Sequence, residues 1–358
     1  MDDARLRGGS LPREGLQPGG PAGANALAPQ ALDPRAPSSV YAALDLGTNN
    51  CRLLVAKPEG DSFHVIDSFS RIIRLGEGIS TTGRISDAAI ARAMGALRIC
   101  RDKIRYRNAT RLRLIATEAC RAAANADDFR GRVERELGIT LEVIGRETEA
   151  TLAVLGCSPL LDPGARGAML FDIGGGSTEL VRISRDVTDP DAAPKIEGWV
   201  SLPLGVVTLA ERFGGRDVTA ESYAAMVAAV AEGIAPFAKD YDADLAGMHL
   251  LGTSGTVTTV AGVYLDLVRY DRRRIDGIWM ENDDVTRAIA RLLGMSYQQR
   301  AENACIGVER ADLVLAGCAI LDAIRNAFPL PRLRVADRGL REGMLIEMMR
   351  QDRPARVS

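Results

Sequence analysis

The sequence predicts an α/β protein of two similar lobes, each built on a β-β-β-α-β-α-β-α unit, with a cleft between them. Three observations predict it. Residues 41–56, YAALDLGTNNCRLLVA, are two short apolar runs joined by a polar turn, the pattern of two strands and a tight connection. Residues 168–181, AMLFDIGGGSTELV, repeat that pattern with a turn richer in glycine. A third strand-like run and alternating helical and strand-like segments follow each hairpin. In a chain of 358 residues, a repeat on this scale is a duplicated lobe rather than a solenoid.

Taken in order, residues 1–38 are rich in Gly, Pro and Ala, show no period and are expected to be disordered. The first lobe is expected over 39–160. Its opening hairpin leads to a third strand at 63–73 and a loop from Arg74 to Gly78. Ser86 and Asp87 cap a helix to about Arg105, a strand follows at 111–116, and a second helix opening at Asn125 runs to Leu137, where Gly138 stops it. A short strand at 141–144 and a helix from Gly145 to about Cys157 complete this half. The second lobe, 161–335, restarts with the strand ending at Asp172 and continues with strands at 180–184 and 199–203. Helices come after 204–208, then a strand at 248–251, a long helical stretch at 310–326 and a strand at 333–336. The remainder, 336–358, is read as a C-terminal helix packing back on the first lobe.

Composition bounds the function. Hydrophobic residues are 46% and charged residues 26%, as in ordinary globular proteins. A formal net charge of −2 disfavours nucleic-acid binding through bulk positive charge. No apolar run reaches the ~18 residues of a membrane span, and the first residues lack a signal-peptide core. A cytoplasmic protein with no nucleic-acid or membrane partner is predicted. The six cysteines have no C-x-x-C spacing and read as reduced, buried small hydrophobes. Only two histidines are present, His64 and His249, each inside a strand-like run. That scarcity disfavours histidine zinc sites, catalytic triads and His-Asp phosphohydrolase centres. Catalysis is left to carboxylates, hydroxyls, arginines, backbone amides and a hard metal.

In α/β sheets ligands collect at the carboxyl ends of strands. The polar groups just past the expected strand ends are Asp45 with Gly47, Thr48, Asn49 and Asn50; Glu118; Glu147 and Glu149; Asp172 with Gly174, Gly175, Gly176, Ser177 and Thr178; and Gly252, Thr253, Ser254, Gly255 and Thr256. Glycine turns let backbone N–H groups close on an anionic oxygen, so these loops are candidate phosphate cradles. Acids beside such cradles suit a Mg²⁺ ion bridging carboxylates and phosphate oxygens. Each element also has a plainer reading. The first turn can be only a hairpin, the segment at 252–256 only a helix start, and Glu147 only an acid that complements a helix dipole.

Together the segments DLGTNN, RLGEG at 74–78, IATEACR at 115–121, GRETEA at 145–150, DIGGGSTEL, SLPLGVVTL at 201–209, LGTSGTVTT at 251–259 and DRGLREGML at 337–345 resemble the exopolyphosphatase/guanosine-pentaphosphate phosphohydrolase (Ppx/GppA) family, in its short two-domain form. That family belongs to the actin-like ATPase/sugar kinase/Hsp70 superfamily. The resemblance implies two ribonuclease-H-like (actin-like ATPase) domains and hydrolysis of terminal phosphates from inorganic polyphosphate or guanosine pentaphosphate with Mg²⁺. On that reading Glu118 or Glu147 activates water, and Asp45, Asp172 and Glu149 lie near the metal. Arg74, Arg121 and Arg341 contact the polyanion, Arg341 having Glu342 as an alternative partner. The family pattern leaves room for a homodimer, and the threonine between Glu147 and Glu149 departs from it.

Overall fold

The computed structural model describes residues 39–352 apart from 61, 187, 190–193 and 242–244. The expectations for 1–38 and for 353–358 lie outside the described residues. Two sheets carry the chain. The first contains β1 (Tyr41–Leu46), β2 (Asn50–Glu59), β3 (Ser62–Ile72), β4 (Arg111–Ala116) and β5 (Glu142–Val143), in the order β3-β2-β1-β4-β5. The second contains β6 (Gly167–Ile173), β7 (Thr178–Ser184), β8 (Lys195–Leu202), β9 (Met248–Thr253), β10 (Trp279–Glu281) and β11 (Arg332–Ala336), in the order β10-β11-β9-β6-β7-β8. In both sheets three antiparallel strands are followed by parallel ones, β1–β4–β5 and β6–β9–β11. The duplication therefore extends to strand order and direction.

The second lobe adds an edge strand, β10, and the helix Asn282–Leu293, both beyond the sequence expectation. The helix expected from residue 310 begins at Val314. The residues before it are turns closed by Arg310 N–H to the Gly307 carbonyl and Leu313 N–H to the Arg310 carbonyl. The short strand expected at 141–144 is reduced to two residues. Both histidines lie in strands, but only His249 is buried; His64 is exposed on β3. All six cysteines are free and buried.

β1 shows how the two faces of a strand build two layers. Ala42, Leu44 and Leu46 point into a core with the helices Asp87–Tyr106 and Ala126–Leu137. Tyr41 and Ala43 point the other way, against Leu340, Met344, Leu345 and Met348 of the helix Leu340–Gln351. Each fully buried leucine contributes about 1.5–3 kcal/mol of transfer free energy. The second sheet turns Ala168 and Leu170 of β6 against Ala150, Ala153 and Val154 of the helix Arg146–Cys157. The two helices are exchanged: the one that ends the first half of the chain covers the second sheet, and the one that ends the second half covers the first sheet. They cross in backbone contact. A Cβ on Gly156 would lie 1.9 Å from the Gly339 carbonyl oxygen, and one on Gly343 2.0 Å from that of Leu152, so only glycine fits at either position.

Candidate active site

The two glycine turns are built alike. Gly47 N–H closes the first on the Asn50 carbonyl at 2.9 Å, and Gly174 N–H closes the second on the Ser177 carbonyl at 2.9 Å. Each turn is buttressed from its own lobe. Asn49 accepts at its carbonyl from the N–H groups of Ile73 and Arg74, and Thr48 from that of Gly76. The carbonyls of Gly174 and Gly175 accept from Val206 and Val207, the first residues of the helix Val206–Phe213. The turns meet across the cleft: a Cβ on Gly175 would sit 3.0 Å from Thr48 Cβ, and one on Gly176 3.2 Å from Glu118 Cγ. Around them opens a cavity of about 1000 Å³, walled by both lobes.

Asp45, Gly47, Thr48, Asn49, Asn50, Glu118, Glu149, Asp172, Gly174, Gly175, Gly176, Ser177, Thr253, Ser254, Gly255 and Arg341 line this cavity. Several expected residues do not. Glu147 is exposed outside it, on the first turn of its helix. Thr178 is fully buried and donates its hydroxyl to the Leu204 carbonyl at 2.7 Å, a structural bond. Gly252 makes room for packing: a Cβ there would lie 2.4 Å from the Phe171 ring. Arg74 donates to both carboxylate oxygens of Asp312 rather than facing the cavity. Arg121 lies behind the wall, with Nε 2.9 Å from Glu118 Oε2 and Nη1 2.8 Å from Glu149 Oε2. Among the described residues no group of three or more His, Cys, Asp or Glu is placed to hold a metal alone, so Asp45, Asp172 and Glu149 do not form a ready-made cage.

Eight acids line the cavity, and five of them, Asp45, Glu118, Glu149, Asp172 and Glu179, come from the two hairpins and the helices that begin at Glu118 and Arg146. Glu179 was not among the expected residues. It is 2% exposed, and its Oε1 accepts from the hydroxyls of Ser177 and Ser201, both at 2.8 Å. Burial, then the Glu149 charge, pushes Asp172 up to about 7. Burial, then the Glu179 charge, raises Glu149, and burial, then the Asp172 charge, raises Glu179. Asp45 is raised by burial, against the pull of Arg52. Opposed to this negative pole are Arg52, Arg310 and Arg341, also in the cavity wall. Desolvation holds Arg310 and Arg341 below the usual arginine range.

The signal for Glu179 and Arg52 was hairpin register. Asp45 pairs with Arg52 across the first hairpin and Asp172 with Glu179 across the second, an offset of seven residues both times. Residues paired across a hairpin share one face of the sheet. A strand-end acid at the cleft therefore names its neighbour.

The Asp45 Oδ1, Asn49 Oδ1 and Asn50 Oδ1 atoms are buried without a hydrogen-bond partner. Leaving such groups unpaired costs about 1–3 kcal/mol each. Unpaired oxygens beside an excess of carboxylate fit a hard cation that completes its shell with phosphate oxygens and water.

Comparisons with known proteins agree with this architecture. The Ppx/GppA phosphatase family matches residues 54–352. Exopolyphosphatase 2 of Mycobacterium tuberculosis is 29% identical over 321 residues, covering 86% of this chain and 98% of that protein. The guanosine-5'-triphosphate,3'-diphosphate pyrophosphatase of Photobacterium profundum is 30% identical over 320 residues, covering 87% of this chain but 60% of that protein. The crystal structure of the Aquifex aeolicus family member superposes with a TM-score of 0.73 at 28% identity, over 89% of this chain and 100% of that one. With its two-domain actin-like fold and paired glycine turns, the chain belongs to the Ppx/GppA phosphatase family.

Proposed function

We propose that this chain is an exopolyphosphatase that releases terminal phosphate from inorganic polyphosphate, with Glu149 as the general base. The observation that carries the reading is the state of the three candidate glutamates. Glu147 lies outside the cavity. Both Glu118 oxygens take guanidinium N–H bonds, Oε2 from Arg121 and Oε1 from Arg146 at 2.9 Å. Glu149 lines the cavity and is held by Arg121 through Oε2, and among the described residues its Oε1 takes no hydrogen bond. Burial makes that carboxyl basic, and a base whose pKa lies near the working pH transfers protons best.

Phosphoryl transfer asks for placement and charge neutralisation more than for covalent help. The N–H groups of the two turns would receive the terminal phosphate oxygens, with the Thr48, Asn49 and Ser177 side chains around them. Glu149 Oε1 would accept the proton of the attacking water. Arg121, bridging Glu149 and Glu118, would fix that carboxylate in place. Asp45 and Asp172 would hold a Mg²⁺ ion. Bound there, it supplies positive charge against the phosphate oxygens. Arg52, Arg310 and Arg341 offset the charge of the remaining polyanion.

Polyphosphate as the substrate is supported by the exopolyphosphatase relative, which is matched over 98% of its own length; the guanosine-nucleotide relative is matched over 60% of its length. The test is inorganic phosphate release, with Mg²⁺, from long polyphosphate, guanosine pentaphosphate and ATP in parallel. The expected order is polyphosphate first and ATP last. Faster release from guanosine pentaphosphate would reverse the substrate assignment, and no release from any of the three would end the hydrolase reading.

A further inference from the structure

Away from the crossing helices, the lobes touch at a second place, and its residues are not those that line the reacting end of the cavity. The segment after β3 extends from the first lobe to the second. Arg74 Nη1 and Nη2 donate to Oδ2 and Oδ1 of Asp312 at 2.9 and 2.8 Å, and Nη2 also reaches the Glu309 carbonyl at 3.0 Å. Four residues on, Gly78 N–H and the Ser80 hydroxyl donate to the two oxygens of Glu211 at 2.8 and 2.5 Å.

Both ends of this contact are tied to the phosphate turns. On the first-lobe side, the N–H groups of Ile73 and Arg74 bond to Asn49 and that of Gly76 to Thr48, and a Cβ on Gly76 would lie 2.2 Å from Thr48 Cγ2. On the second-lobe side, Glu211 stands on the helix whose first residues bond to Gly174 and Gly175. The turn that presents Arg74 is strained, with φ at 45°, a left-handed conformation that a non-glycine residue adopts at a cost. Arg92 holds it there, donating to the Ile73 and Arg74 carbonyls and to Glu77. The two sides of the molecule thus differ in kind. At the crossing helices, backbones pack with no room for a methyl group. At this second contact, half-exposed charged groups meet in pairs that are individually weak and screened by salt.

We infer that Arg74–Asp312 and Glu211–Gly78/Ser80 form a latch. Closed, it holds the two phosphate turns face to face; open, it lets the lobes part about the glycine-packed crossing so that a polyanion can enter. Arg74 and Glu211 are on this account positioning residues, acting through the turns. The link to turnover rests on the exopolyphosphatase reading, while the link to closure does not.

The test uses Arg74→Glu, Asp312→Arg, the double exchange and Glu211→Gln in the full chain. Small-angle scattering reads lobe separation, hydrogen exchange reads the 76–80 amides, and polyphosphate assays read kcat and KM. Each single variant is expected to show a larger radius of gyration, faster exchange at 76–80 and a kcat lowered at least tenfold with KM within about threefold. The double exchange is expected to restore all three. Unchanged scattering and exchange in the single variants, or a double exchange that stays open, would overturn the latch. If the unmodified protein releases no phosphate from polyphosphate, the functional reading fails while scattering and exchange still decide the latch.

Discussion

The two hairpins of the cleft share strand direction, turn closure and a strand-end aspartate, yet they differ in the residue that faces that aspartate. In the first lobe Asp45 faces Arg52; in the second Asp172 faces Glu179. The first pair is opposite in charge, and Arg52 pulls Asp45 back toward ionisation. The second is like-charged, and with Glu149 nearby it accumulates proton affinity. The turns differ in the same sense, with Thr48, Asn49 and Asn50 side chains in one and three glycines in the other. A duplicated frame has thus become asymmetric, and on the proposed mechanism one jaw grips phosphate while the other activates water.

The sharpest way to break that comparison is to remove the base from the acidic jaw. Glu149→Gln is expected to lower kcat for polyphosphate by roughly 10²–10⁴-fold, while Glu147→Gln, two residues away in sequence but outside the cavity, leaves it unchanged. Steady-state phosphate release checks both, and equal losses would remove the distinction between the two glutamates. Next in size is the fit of the turns. Gly175→Ala puts a methyl group against Thr48 and Asn49, and a loss of about tenfold in kcat/KM is expected from the displaced turn.

The electrostatic difference is sharpened by a pH profile. On the proposed mechanism activity requires Glu149 to be deprotonated, so it should rise with pH along an acid limb. Glu179→Gln removes a negative neighbour that raises the Glu149 pKa, so the limb should move to lower pH; a limb that stays in place would separate Glu179 from the base. The smallest effect is on stability. Asp172 binds its proton more tightly folded than unfolded, so between about pH 4 and pH 7 the folded state holds the extra proton. Its stabilising contribution is complete below that window and lost as pH rises through about 7. In chelator, Asp172→Asn should therefore melt a few degrees higher than the unmodified chain at pH 8 and show no such gain at pH 4. An equal gain at both would locate the effect elsewhere.

Much of this was legible in the sequence because hairpins and helix caps are local. The two turns, their aspartates and the helix from Asp87 follow from residues within a few positions of one another. Partner choice is not local. Arg74 and Arg121 read as polyanion contacts because a cation beside a phosphate loop has two fates, and Asp312, 238 positions away, takes the first. Gly252 read as a cradle because the Phe171 ring that needs its space lies on another strand. Glu179 was hidden in plain view, since its importance comes from register across the turn rather than from its place in the motif. The exchanged helices depend on glycine contacts between residues 156 and 339, which no periodicity reports.

The central claim, that the acidic jaw supplies the base, is tested most directly by chemical rescue. In Glu149→Ala, added formate should restore polyphosphate hydrolysis in proportion to its concentration, because a small carboxylate can stand where Glu149 Oε1 stood. In Glu118→Ala it should restore nothing. Rescue of Glu118→Ala with none in Glu149→Ala would contradict the account and move the base to Glu118, its neighbour across Arg121.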